Sequence, residues 1–567
     1  MSEYWLSLEK KGALAIQPID IAHLPIFHVD DYIVKGATDH TIGIQAATAA
    51  LAAHGKGVLS FGKKAYTLFT SSTVQTFAIN VSNLTNVAIL GNGCTITSGR
   101  AADQATADLN FIYAGPVTGL YVEGFKFVGS NSGTSSSTGE KFLRYGAGCK
   151  NITVVNCDVR SCHGGVECDD NTAKNRGITV LDCYFEKCFY PLEVTTTDDV
   201  FARYTSINGG RCYFPQSSNG ISCDNHDISV TSQSGYTSSD CLLQIIAKNG
   251  SSNNVLSNIR LNYHSPGRTA GAGNATDALV DFFVQQASAS TAAGHFRNIT
   301  INVAANGLNS GGSASDWQPH IFRIRKLKSN GDSDDVGRGH TFYNVTIGGT
   351  AINWDDAEGG IKLFETSVVG AGSAQNWSGD FAACLAVRDF VVNGNPVNDT
   401  IYVNGQAAVT GKPFLDIENV SILDGTYTEA NCSTANIAHR NVAASNLSAA
   451  DRRPVSYTPT GNGITFANAT GMTWKDGRKV TAMFDVTWPN TADVGEARIG
   501  GLTFTVANQG VAQQGFISYI DVGAGTDYTL AAIANTTYGR LFDTAGGTIT
   551  NATMSQKRLI GTLVYFV

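Results

Sequence analysis

The chain has 567 residues, a formal net charge of −8, 15% charged residues, 61 glycines and 12 prolines. That length can bury a large core and exceeds one ordinary domain, so two or three domains are expected. The acidic balance excludes the clustered Lys and Arg that nucleic acid requires. Dense Ser, Thr and Asn make a neutral hydroxyl and amide surface that suits sugar better.

No apolar run reaches the roughly 18 residues of a membrane helix, and MSEYWLSLEKKGALAI lacks a signal peptide's basic start and apolar stretch. A soluble chain made in the cytosol, with no membrane partner, is expected. Residues 1–35 carry Trp5, Leu6, Leu8, Pro18 and Pro25 without a sustained period, and read as a docking or capping segment. In residues 36–80, DHTIGIQAATAALAAHGKG predicts a helix that Asp39 or Thr41 caps and Gly55 or Gly57 ends. GVLSFGKKAYTL follows as two strands. The helix would cover the open edge of whatever sheet comes next.

That sheet is set by a repeat. NITVVNCDVRSCHGGVEC from Asn151 and GITVLDCYFEKCFYPLEV from Gly177 share Ile152/Ile178, Thr153/Thr179, Val154/Val180, Cys157/Cys183, Cys162/Cys188 and Glu167/Glu193. A short period in β-branched runs marks a parallel β-solenoid, one coil per repeat. A third copy is read in NGISCD, with Ile221, Ser222 and Cys223 at the positions of Val166, Glu167, Cys168 and of Leu192, Glu193, Val194. Alternation then sends the outer residues of each triplet inward. Glu167, Glu193 and Ser222 go to the other side, stacked on a rigid surface.

Through residues 81–448 the motif N/G-[VIL]-x-[VIL] recurs at 86, 119, 151, 177, 258, 298, 344 and 419. A second strand series, at 242, 279, 320, 362 and 414, puts Gln244, Asp281, Arg323 and Asp416 on or near one outward ladder. Gly/Ser/Asn-rich insertions from Asn131, Ser265 and Lys328 would rim a groove. Of the 12 cysteines, nine lie between Cys149 and Cys241, several at inward positions, and read as small core fillers. The C-x4-C pair beside His163 also outlines a metal site, but its spacing is not that of zinc ligands. No metal and no cofactor is expected. From about residue 449 to 567 the period disappears and alternating strands predict a β-sandwich.

Glycoside hydrolysis needs one carboxylic acid and one carboxylate, and stacked acids divide into such a pair because both cannot ionise cheaply. Glu167 and Glu193 are therefore the candidate catalytic residues, with Asp169, Asp170 and Asp224 close by. Ser222, Gln244, Tyr190, His226, Asp281 and Arg323 are candidate substrate contacts. The alternatives are a solvated face with no role, a calcium site using the aspartates, or β-elimination using His163, Tyr190, Arg160, Lys187 or Arg203. A non-catalytic adhesin would use Tyr184, Phe185, Phe189, Tyr190, Tyr213 and Phe214.

The stretch VKGATDHTIGIQAATAALAAHGKGVLSFGKKAYTL resembles the opening of pectate-lyase-like phage tailspikes. The resemblance implies an all-β, right-handed parallel β-helix, with a short N-terminal helix cap and a C-terminal β-sandwich that binds sugar or holds trimers. It implies a homotrimeric depolymerase of bacterial capsule or O-antigen polysaccharide, carried on the virion tail. Residues 1–35 are too short for the family's particle-anchoring domain, so docking on another tail protein is expected there.

Overall fold

A computed structural model describes residues 21–69, 77–100, 109–130, 139–168, 170–209, 212–231, 243–248, 253–265, 278–285, 294–306, 320–327, 341–354, 362–369, 385–394, 400–404, 415–423, 426–430, 437–440, 442, 455–476, 479–508, 513–521 and 528–567. The chain forms two compact units, residues 1–415 with 423–436, and residues 416–422 with 437–567.

The first unit winds through two parallel sheets. Strands Lys150–Val155, Asp158–Arg160 and Gly164–Cys168 make one coil, the first two in a large sheet and the third in a second sheet of twelve strands. The next coil lies on it in the register the repeat predicts. Ile152 faces Ile178, Thr153 faces Thr179, Val154 faces Val180 and Glu167 faces Glu193.

The bends explain the motif. Asn86, Gly119, Asn151, Gly177, Asn258, Asn298, Asn344 and Asn419 all have positive φ, from 52° to 76°. Asn and Gly enter this left-handed region at little cost, so they turn the chain into each strand with the next apolar residue facing in. The Asn side chains then stack: Asn298 Nδ2 donates to Asn258 Oδ1 at 3.0 Å, and Asn344 Nδ2 to Asn298 Oδ1 at 3.2 Å. The C-x4-C spacing has a similar origin. Cys157 and Cys162 follow the left-handed residues Asn156 and Ser161 and fill the two corners around Asp158–Arg160. Cys162 and Cys188 sulfurs stack at 3.2 Å, and the cysteines among the described residues are buried thiols outside any disulfide.

Helix α1, Thr41–His54, starts where Asp39 Oδ1 accepts the Thr41 amide at 2.9 Å and stops at Gly55 with φ 74°. Its Gln45 donates to the Phe77 carbonyl at 2.8 Å, in the first strand of the twelve-stranded sheet. The strands Gly57–Ser60 and Ala65–Leu68 do not pair with each other, because both lie parallel to Thr85–Ser98.

In the second unit, strands between Val455 and Phe566 form one hydrogen-bonded, eight-stranded antiparallel sheet around a single core. Burial alternates along Lys479–Thr487 and Arg558–Phe566, as for a sheet with one core face. Val480, Phe484, Val486, Leu563 and Tyr565 build that core around Trp488, whose indole N–H donates to Asn551 Oδ1 at 3.0 Å.

Candidate functional site

Strand Gly164–Cys168 lies between Glu140–Tyr145 and Tyr190–Thr195 in the twelve-stranded sheet. Lys141 faces Gly164, which faces Tyr190, and Arg144 faces Glu167, which faces Glu193. The strand kinks in its middle. A Cβ on Gly165 would overlap the Pro191 carbonyl and the Phe185 ring on the core side, whereas one on Gly164 would overlap the Glu167 carboxylate on the outer side. Gly164 therefore leaves the space into which Glu167 folds back.

The expected pair exists in register, but it is not on an exposed surface. Glu167 is 2% exposed and Glu193 is 5% exposed. Long side chains from flanking coils close over them: Lys141 forms an ion pair with Glu167 Oε1, and Gln216 Nε2 donates to Glu193 Oε1. Tyr190 is half-buried beside the pair, edge-on to Phe189 at 4.6 Å and to His163 at 5.2 Å.

A second carboxylate pair stands on the other sheet. Asp198 faces Asp224, in an outward ladder that runs from the exposed Lys150 and Arg176 to Ser257 and the exposed Arg297 and Tyr343. Lys174 Nζ lies 2.7 Å from Asp198 Oδ1, and donates to the Ser222 carbonyl at 2.6 Å and its hydroxyl at 2.8 Å. Asp224 Oδ1 accepts Ser257 Oγ at 2.7 Å and Asn258 Nδ2 at 2.8 Å. Burial pushes the Asp198 carboxyl above its usual range; Asp224 adds to the push and Lys174 opposes it.

Several expected contacts stand elsewhere. Ser222 is not the third member of the Glu ladder, because that coil is shorter and Glu193 faces Phe214. His226 points inward at the register of Val200 and Ile259 and is 1% exposed, so it is a core residue and not a surface contact. Its Nε2 donates to the Thr197 carbonyl at 2.7 Å and its Nδ1 accepts the Tyr213 hydroxyl at 2.5 Å. Burial pulls its pKa down to about 4, which keeps the ring neutral. Asp170 holds a turn: its carboxylate accepts the Thr172 amide at 2.9 Å, the Thr172 hydroxyl at 2.7 Å and the Ala147 amide at 3.2 Å. Burial alone would raise this carboxyl, but those bonds and the Arg144 charge outweigh it and hold it low. Asp169 lies outside the described residues.

The backbones of Gln244, Asp281 and Arg323 do continue one ladder in the twelve-stranded sheet, which runs on through Glu365 and Asn404. Asp416 is not part of it, because residues 416–422 belong to the second unit. Both arginines considered for elimination chemistry are engaged. Arg160 binds Asp158 at 2.7 Å and Glu186 at 2.9 Å, and Arg203 binds Asp227 at 2.5 Å. Among the described residues no group of three or more His, Cys, Asp or Glu is arranged to hold a metal ion, and no helix is long and apolar enough to cross a membrane.

No family model matches the chain, and no curated protein matches it. Solved structures do. The Dettilon tailspike protein is 12% identical over 99% of both chains, with a TM-score of 0.34. An exopolygalacturonase from Thermotoga maritima is 10% identical over 77% of this chain and 95% of its own, with a TM-score of 0.37. The tailspike protein of E. coli bacteriophage HK620, in complex with a pentasaccharide, is 12% identical over 95% of this chain and 93% of its own, with a TM-score of 0.32. The structural neighbours are thus phage tailspikes and polygalacturonase-like right-handed β-helix enzymes, at low sequence identity.

Lys141, Gln216 and Lys174 escaped the sequence reading. The signal for Lys141 was present: EKFLRY is an apolar-polar strand one coil ahead of GGVEC. Gln216 was hidden because its strand, Phe214–Ser218, begins with no motif residue.

Proposed function

We propose that this chain binds and cleaves a bacterial surface polysaccharide, capsule or O-antigen, by glycoside hydrolysis, with Glu167 and Glu193 as the reacting carboxylates. The supporting observation is the stacking of two buried carboxylates at one register, one opposite an ammonium and the other opposite a neutral amide. A coil selected for stability alone gains nothing from a second acid beside a buried ion pair, since buried charge is costly unless compensated. Neighbouring strands lie about 4.8 Å apart, which favours the short separation of roughly 5–5.5 Å used by retaining enzymes. Hydrolysis is preferred to β-elimination because Arg160 and Arg203, which would neutralise a uronate, already hold carboxylates. The homotrimer, the place on a virion tail and the docking of residues 1–35 on another tail protein belong to the same proposal.

A second reading places the chemistry at Asp198 and Asp224, because that pair faces outward and Asp198 is pushed toward its protonated form. One experiment separates the two. A panel of purified polysaccharides is assayed for new reducing ends and for ultraviolet absorbance of unsaturated products, with wild type, Glu167→Gln, Glu193→Gln, Asp198→Asn and Asp224→Asn. Loss of an acid or base lowers the rate on the order of 10²–10⁴-fold. That loss is expected in the two Gln variants alone. Wild-type rates in both Gln variants with loss in the Asn variants would move the site to the other sheet.

A further inference from the structure

In the second unit Arg498 and Arg540 stand directly opposite each other, on the antiparallel strands Arg498–Ile499 and Gly539–Asp543. Ile499 and Leu541 turn inward and are 0% exposed, so alternation sends both arginines to the outer side, where their side chains keep 27% and 23% exposure. Like charges directly opposite each other destabilise a sheet. A single carboxylate answers both: Glu496 Oε2 accepts Arg498 Nε at 2.8 Å, pairs with Arg498 Nη2 and lies 3.0 Å from Arg540 Nη2. Either arginine alone would neutralise Glu496. Two guanidinium groups against one carboxylate leave a local positive charge, in a chain whose formal net charge is −8.

Each guanidinium carries five N–H donors in a planar fork, and Glu496 takes those of both arginines through one oxygen. Arg540 Nε is buried and has no hydrogen-bond partner among the described residues. The forks are held in place by aromatic rings. Arg498 lies over Tyr538 at 4.3 Å and Arg540 is 5.9 Å from Phe542. These two half-buried rings flank Arg540 at two residues on either side, and Phe542 pairs with the exposed Thr529 and Thr548. The nearby acids are turned to other partners. The Asp543 carboxylate accepts the Ala545 amide at 3.0 Å and the Gly547 amide at 2.6 Å, while Asp493 accepts Asn551 Nδ2 at 2.7 Å and the Gly495 amide at 3.1 Å.

We propose that Arg498 and Arg540 form a binding site for an oxyanion carried on a sugar, a carboxylate or a phosphate. The guanidinium fork matches either group with two parallel hydrogen bonds. The anion approaches from the outer side, shares the forks with Glu496 and relieves the repulsion between the two arginines, and Tyr538 and Phe542 offer ring surface to the C–H face of the sugar. The site stands independently of which carboxylates in the first unit do chemistry.

The test titrates the full-length protein with glucuronate, glucose-6-phosphate, glucose and inorganic phosphate, and follows binding by ligand-observed NMR. At least one sugar anion should bind and glucose should not, and the one that binds more tightly names the anion. Arg498→Gln and Arg540→Gln should each weaken binding about tenfold, the worth of a hydrogen bond to a charged group. Glu496→Gln should tighten it several-fold, because the carboxylate competes for the same donors. In a purely structural triad that substitution would move the thermal midpoint and no affinity. Failure of both sugar anions to bind, binding of glucose as tight as theirs, or unchanged affinity in whichever arginine variant folds would each overturn the proposal, and so would capture of inorganic phosphate alone.

Discussion

Glu167 and Glu193 stack across neighbouring coils of one sheet, and Asp198 and Asp224 stack across neighbouring coils of the other; both members of the first pair are sealed, whereas in the second Asp198 is buried and Asp224 only half-buried, on a ladder whose ends are exposed. The stacking rule is the same in both places, because parallel coils put equivalent residues side by side. The surroundings come from the coils before and after. Lys141 and Gln216 reach over the Glu pair from either side, whereas the Asp pair continues into the exposed Arg176 and the half-buried Ser257. Register therefore assembles a site, and the lengths of neighbouring side chains decide how strongly its charges act.

The sharpest way to break that comparison is to remove one cation from each pair. Deleting one partner of a buried ion pair strands the other charge, at a cost of roughly 3–5 kcal/mol, whereas pairs with access to water are worth about 0–1 kcal/mol. Lys141→Met should lower the thermal midpoint steeply, and adding Glu167→Gln should recover most of the loss. Lys174→Met, from a side chain 32% exposed, should shift the midpoint only slightly. Equal shifts from the two lysines would mean that the Glu pair is as wet as the Asp pair.

How much of this was legible follows from particular residues. The eight N/G-[VIL]-x-[VIL] motifs were readable because a left-handed bend selects Asn or Gly, and all eight occupy one. The bend at Asp199 was missed because Asp takes the same conformation without matching the pattern. The Glu register was readable from identities 26 residues apart, the spacing at which Cys162 meets Cys188. Counting onward failed because the next coil is shorter: Ile178 faces Val200, and Glu193 faces Phe214 instead of Ser222. Burial of the pair was not readable, since it depends on Lys141 and Gln216, which stand in flanking coils at unequal sequence distances. His226 was read as a substrate contact because it lies next to the candidate acids in the sequence, whereas Tyr213 and Thr197 satisfy both ring nitrogens inside.

His226 sharpens the comparison through pH. The coil that displays Asp224 outward buries this ring inward, with a folded pKa of about 4 against an ordinary value of 6.5. The unfolded chain thus binds the extra proton between those values. The stability contributed is full above about pH 6.5 and is lost as pH falls toward 4, to the extent of roughly 3 kcal/mol. The thermal midpoint of the wild type should fall steeply across that window, and His226→Gln should flatten the slope. An unchanged slope would show that the ring is not held neutral in the core.

The smallest expected effect comes from Asn258, which borders the open pair. It sits at φ 53°, donates to Asp224 Oδ1 at 2.8 Å and accepts from Asn298 Nδ2 at 3.0 Å, all at an exposed position. Two contributions are mixed here and can be separated by substitution. Asn258→Ala loses the amide and forces a Cβ into the left-handed region, which costs roughly 1–2 kcal/mol for an ordinary residue. Asn258→Gly loses the same amide but keeps the bend. The Ala variant should therefore be less stable than the Gly variant by about 1 kcal/mol, and the Gly variant should lie within a few tenths of the wild type, because exposed hydrogen bonds exchange with water. Equal losses in both variants would mean that the amide stack, and with it the hold on Asp224, outweighs the bend. The open pair would then be anchored nearly as firmly as the sealed one, and the contrast between the two sheets would rest on solvent access alone.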